Sequence, residues 1–225
     1  MAYPLTERWL SELGLDLHSA YAGVGPCHDL GHAVRVSALA EQIARAEDID
    51  GLGAVLAALL HDAGHAAAAR AGSDDHEQSS AAAATRILHG RVSPAVLDCV
   101  VDAISGRRFA KLSLPRDPAG AILDDADNLD AIGFCGIARA FLWLGEHGRP
   151  LDLPGAPGWT VTGLAQGDMN ALYRHWSEKL ARLPAVMRTQ TGARIASRRA
   201  ADTSRFLRRL EDELSEILSR PDQLA

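Results

Sequence analysis

The sequence predicts an all-α protein, and three observations carry that prediction. Alanine, leucine and arginine dominate the 225-residue chain, and all three favour helix. Apolar residues recur at helical spacing, while strand-like alternation is nearly absent. Two dipeptides, Ser93-Pro94 and Asp117-Pro118, place a capping side chain before a proline that suits the first helical position. With 47% hydrophobic residues, the chain can bury one sizeable core. No long linker divides it, so residues 1–225 are expected to form a single domain.

The elements follow in order. Leu5 to Leu15 is a short helix expected to stop near Gly14. Asp29 can cap a helix running to about Glu47, with Val34, Val36, Leu39, Ala40 and Ile43 as its apolar stripe. The helix from Leu52 to about His61 is apolar almost all round and belongs at the centre. Gly72-Ser73-Asp74-Asp75 forms a turn and cap before an alanine-rich helix, His76 to Leu88. Pro94 to about Ser105 is next, then Ile122 to about Ile132, with Gly133 and Gly136 interrupting the chain before a helix from Ile137 to Leu144. Residues 145–167 hold glycines, three prolines and Trp159 without a period. They are expected to form a loop or lid. Helices resume over 168–220, broken at Pro184, with Leu207, Leu210, Leu214 and Ile217 as the late stripe and an arginine-rich solvated face.

Composition narrows the function. A net charge of -6 argues against broad nucleic-acid binding. Cys27, Cys99 and Cys135 are odd in number and form no CxxC pair, so reduced thiols in a cytoplasmic protein are expected rather than a disulfide framework. The first residues, with Glu7 and Glu12, do not resemble a signal peptide. The apolar run from Ala54 to Leu60 is short for a membrane span.

Chemistry concentrates at His61-Asp62, where the most apolar helix ends in an imidazole beside a carboxylate, with His65 close behind. Such groups are costly to bury unpaired. His32 and Asp127 are the natural companions. Each of the four lies on or at the end of a predicted helix, so three helices meeting at one point would offer two imidazoles and two carboxylates to one cation. That donor set suits Mn, Fe, Co, Ni or Zn better than calcium. Asp127 also belongs to a cluster, Asp124, Asp125, Asp127 and Asp130, whose charges repel unless a cation or arginine is near.

These segments resemble the metal-dependent phosphohydrolases of the HD-domain superfamily, whose signature is the order H…HD…D. Residues 27–36, CHDLGHAVRV, are similar to an HDxxHxxRV segment of one bacterial subfamily. ALLHD at 58–62 matches its ALLHD, and DADNLDAIG at 125–133, continuing to Arg139, resembles its DADxLDAxG. Glu178-Lys179-Leu180, Met187 and Thr189 are similar to a later run. The resemblance spans about residues 27–210. It implies an all-α HD-domain helical bundle with one divalent metal held by His32, His61, Asp62 and Asp127, manganese first, with Fe, Co, Ni, Mg or Zn as alternatives. Asp125 and Asp130 would support the ligands.

The implied activity is hydrolysis of a phosphate ester or anhydride in a small phosphorylated metabolite, a nucleotide first, with no nucleic acid or membrane as partner and a homo-oligomer left open. His65, then His76, then His28 are candidates for proton transfer. Arg107, where relatives often carry histidine, disfavours a second metal and could clamp phosphate, as could Arg35, Lys179 and Arg188. Arg35 equally suits a structural ion pair. A di-iron oxygenase on the same fold, or a non-catalytic binding module, are the competing readings.

Overall fold

The computed structural model describes residues 3–73, 75–109, 117–148 and 175–219, apart from the side chains at 108–109 and 214–219. Among them no strand occurs. The helices are α1 (Pro4–Ala20), α2 (Leu30–Ala46), α3 (Leu52–Leu60), α4 (His65–Arg70), α5 (His76–Leu88), α6 (Pro94–Ser105), α7 (Pro118–Asp130), α8 (Gly133–Glu146), α9 (Leu183–Val186) and α10 (Gln190–Ser219).

Helix α3 is the axis of the bundle. Its residues from Gly53 to Leu60 are all buried, and α1, α2, α5, α6 and α7 pack around it. A helix apolar on every face has no other stable place. The apolar composition extends through α4, and Leu52–Arg70 is long and apolar enough to cross a bilayer by those measures alone. This corrects the sequence expectation that the run is too short. The segment is nevertheless two helices broken at residues 61–64, and it is 78% buried within the bundle.

The caps form where expected. Asp29 accepts the His32 backbone N–H at 2.8 Å. Asp75, Ser93 and Asp117 cap α5, α6 and α7 in the same way. Helix α1 does not stop near Gly14. Its buried stripe, Trp9, Leu13 and Leu17, runs past the glycine, and packing outweighs the roughly 1 kcal/mol that glycine costs inside a helix. The buried Glu41 carboxylate accepts the backbone N–H groups of Leu5 and Thr6, which satisfies donors that a helix start leaves free.

Three further expectations are corrected. Helix α4 was not foreseen, because six residues carry too little periodicity. Gly133 separates α7 from α8 with φ +76°, a conformation open to glycine, whereas Gly136 simply continues α8. Pro184 opens α9 instead of breaking a helix, because a proline in the first turn forfeits no hydrogen bond. The lid expected over 145–167 lies outside the described residues from 149 onward, while Gly145 and Glu146 end α8. Cys27, Cys99 and Cys135 are free thiols.

Candidate metal centre

Helices α2, α3 and α7 bring four side chains to one point. His32 sits in the first turn of α2, placed there by the Asp29 cap. His61 and Asp62 follow the last turn of α3, and Asp127 lies in the last turn of α7. His32 Nε2 is 3.3 Å from Asp127 Oδ1 and 3.8 Å from Asp62 Oδ2. His61 Nε2 is 3.4 Å from Asp62 Oδ2 and 3.9 Å from Asp127 Oδ1. The two imidazoles meet edge to face, 5.2 Å between centres.

The other nitrogen of each ring decides what these atoms can do. His61 Nδ1 lies 2.8 Å from the Ala58 carbonyl oxygen, which only accepts, so the proton is on Nδ1. His32 Nδ1 lies 2.8 Å from Asp130 Oδ2 and donates likewise. Both Nε2 atoms therefore present lone pairs. Both are buried and, among the described residues, lack a hydrogen-bond partner. Two imidazole lone pairs facing two carboxylate oxygens need a cation or a proton. His32, His61 and Asp127 form one group that could hold an ion, and His28, His32 and Asp62 form another sharing its edge.

The electrostatics agree with that demand. Burial works against ionisation of Asp62, but His61 and a hydrogen bond from His28 outweigh it and hold the carboxyl low. Asp127 is also held well below the usual carboxylate range, chiefly by Arg107 and then His32, against the cost of burial. Burial pushes His61 down, against the pull of Asp62. His32 is pushed down by burial, yet the neighbouring carboxylates of Asp127 and Asp130 prevail and raise it. A site that pulls a proton onto a buried imidazole is a site short of positive charge.

The acidic cluster on α7 resolves into four separate tasks. Asp124 pairs with Arg188 Nε at 2.9 Å. Asp125 accepts the backbone N–H groups of Arg188 and Thr189 and the Thr189 hydroxyl, which anchors the start of α10. Asp127 faces His32 and is paired with the Arg107 guanidinium. Asp130, one turn on, accepts from His32, from Arg35 through Nε and Nη2, and from Arg139 at 3.1 Å. Residues 127 and 130 share a helix face, so α7 sets a carboxylate against each nitrogen of the His32 ring.

The remaining candidates are placed as follows. His28 Nδ1 lies 2.8 Å from Asp62 Oδ2, and its ring stacks on His65 at 4.9 Å. His76 is 5.4 Å from His65, centre to centre, and its Nδ1 is 3.5 Å from Glu77. Burial lowers His65. Arg35 is held by Asp130 through Nε and Nη2, and Arg188 Nε pairs with Asp124. Lys179 is exposed. Sequence reasoning assigned Arg139 no task, although it quoted the residue. It also missed an apolar cavity beside the centre, lined by Trp143 and His175; the only signal was an α8 more apolar than a surface helix needs.

Residues 28–132 match the HD domain family, a stretch that contains all four converging side chains. The uncharacterized protein YpgQ of Bacillus subtilis is 31% identical over 194 residues, covering 84% of this chain and 86% of that protein. The crystal structure of YpgQ in complex with ADP matches with a TM-score of 0.67 at 28% identity, over 93% of this chain and 96% of that one. A predicted HD superfamily hydrolase from an uncultured Thermotogales bacterium matches with a TM-score of 0.65 at 28% identity, over 91% and 92%.

Proposed function

The chain belongs to the HD-domain family, and from its site we propose that it is a metal-dependent phosphohydrolase acting on a small phosphorylated metabolite, with a nucleotide as the leading substrate. The observation that carries this reading is the convergence of two buried, unpartnered Nε2 atoms on the carboxylates of Asp62 and Asp127. His32, His61, Asp62 and Asp127 would hold one divalent ion, manganese first. When bound, such an ion lowers the pKa of a water and polarises a phosphoryl oxygen.

The chain's own groups account for the rest. Asp130 and the Ala58 carbonyl hold the two imidazoles in the tautomer that ligation needs. Arg107 is paired with Asp127, and in this role it would neutralise charge on the phosphoryl group. The same ion pair supports a single-metal site over a di-iron one, because a second cation would compete with the guanidinium for Asp127. His65 is the proposed proton donor to the leaving oxygen, with His28 holding Asp62 in place and His76 behind His65. The nucleotide reading draws on the similarity to YpgQ, whose structure was determined with ADP. The free cysteines accord with a cytoplasmic setting.

The test is direct. Bound metal is measured on the purified protein, and nucleotides and sugar phosphates are screened for released phosphate and pyrophosphate with added Mn, Co, Ni or Mg. The expected result is metal-dependent release that Asp62→Ala abolishes together with metal retention. A metal-free Asp62→Ala variant with full turnover would end the proposal.

A further inference from the structure

Beside the centre lies a cavity of about 420 Å³, within the size range of small-molecule sites. His28 is shared: it lines the cavity and also bonds Asp62. Trp143 and Leu144 of α8 and His175 also line it. Arg139 is its only charged side chain among the described residues, and its two Nη atoms are engaged, one by Asp130 and one by the Cys27 carbonyl. The cavity is thus poorly equipped for a further phosphate, which needs a disengaged cation, or for a sugar, which needs several hydrogen-bond partners. What it offers is apolar surface and ring faces.

Trp143 is the distinctive wall. Its indole stacks on His147 at 4.2 Å, which fixes the plane of the ring, and the residue is still 41% exposed. A large aromatic side chain held flat, half-open, beside a cavity is a platform for a planar partner. His28 and His175 add two more rings, which favours a flat heteroaromatic group over an alkyl chain.

We propose that this cavity is the base subsite of the enzyme, seating a nucleobase against Trp143 while the phosphates reach the His61-Asp62 centre past His28. The inference rests on the phosphohydrolase reading above and adds to it the part of the substrate that confers selectivity. Stacking of one base on an aromatic side chain is worth roughly five- to 150-fold in affinity.

The experiment compares ATP with inorganic tripolyphosphate, which has the phosphates and lacks the nucleoside, in metal-loaded wild type, Trp143→Ala and Trp143→Phe. Calorimetric binding of ADP is measured in parallel. The expected result is a wild-type preference for ATP, a fall of about tenfold in the ATP-to-tripolyphosphate ratio of kcat/KM in Trp143→Ala, borne by KM, and recovery in Trp143→Phe. ADP affinity follows the same order. Equal turnover of the two substrates by wild type, or an unchanged ratio in Trp143→Ala, overturns the subsite while leaving the phosphohydrolase reading intact. If neither substrate is hydrolysed, the phosphohydrolase reading loses its support, and the ADP titration alone decides the subsite: unchanged affinity in Trp143→Ala, or tighter binding of an alkyl phosphate than of ADP, refutes it.

Discussion

Replacing Asp130 with asparagine tests the logic of the centre without touching a proposed ligand. The Asp130 side chain is 1% exposed and accepts from four donors: His32 Nδ1 at 2.8 Å, Arg35 Nε at 2.9 Å and Nη2 at 3.0 Å, and Arg139 Nη1 at 3.1 Å. Asparagine keeps the shape, but it removes the charge and turns one acceptor into a donor facing donors. Breaking a buried pair in this way costs about 3–5 kcal/mol. For a chain of this size, Tm then falls by roughly 6–20 °C, at about 2–4 °C per kcal/mol. The second effect falls on His32, whose ring is no longer held with Nε2 toward the site. Loss of such a support weakens metal binding by about 10–100-fold, which corresponds to about 1.4–2.8 kcal/mol.

Melting curves and calorimetric manganese titration separate the two effects. A lowered Tm with an unchanged metal Kd would refute the positioning role of Asp130. An unchanged Tm would refute the ion-pair argument itself. Acid adds a third readout. Burial works against the charged form, but the His32 and Arg35 bonds, with Arg139, bring the Asp130 carboxyl down to about 2 from its ordinary 3.8. A depressed carboxyl stabilises the fold above its unfolded value, and that contribution is lost as pH falls through the folded value. Wild type should therefore lose stability more steeply than the asparagine variant between about pH 4 and pH 2.

The remaining predictions concern neighbouring groups. Arg107→Ala should retain metal but lose about 10²-fold in kcat, with Arg107→Lys recovering only part, because a single ammonium does not reproduce the guanidinium fork; full activity in Arg107→Ala would remove Arg107 from the mechanism. Gly64→Ala should lower Tm sharply, since the added Cβ would clash with the Ser79 carbonyl carbon and the Ser80 nitrogen, and overpacking against backbone costs about 1–3 kcal/mol or more. Chelation of the loaded protein should lower Tm by roughly 5–11 °C, from about 2.7 kcal/mol of linkage at a hundredfold excess over Kd; identical melting with and without chelator would argue against a metal at this site.

Much of this protein is legible along the chain. The capped helix starts at Asp29, Asp75, Ser93 and Asp117 are local events, settled by a side chain reaching a backbone N–H three residues away. The centrality of α3 follows from a helix with no polar face. His32, His61, Asp62 and Asp127 could be singled out together because imidazole and carboxylate beside apolar runs need compensation, and the ordered segments around them matched a known family. The end of α1 was misplaced because tertiary packing of Leu17 overrides the local cost of Gly14. Four acids on α7 looked alike in sequence. Only their angular positions on one helix, and the elements packed against each, sent Asp124 to Arg188, Asp125 to the start of α10, Asp127 to the centre and Asp130 to the back of His32. Arg35 shows the same division: its identity was compatible with phosphate or with a structural pair, and its place beside Asp130 settled where the guanidinium bonds. Residue type and spacing along a helix are properties of the chain, so the donor set could be named from it. Which lone pair faces which, which arginine is already engaged, and which ring walls the neighbouring cavity depend on contacts between helices far apart in sequence, and those arise only when the bundle closes around α3.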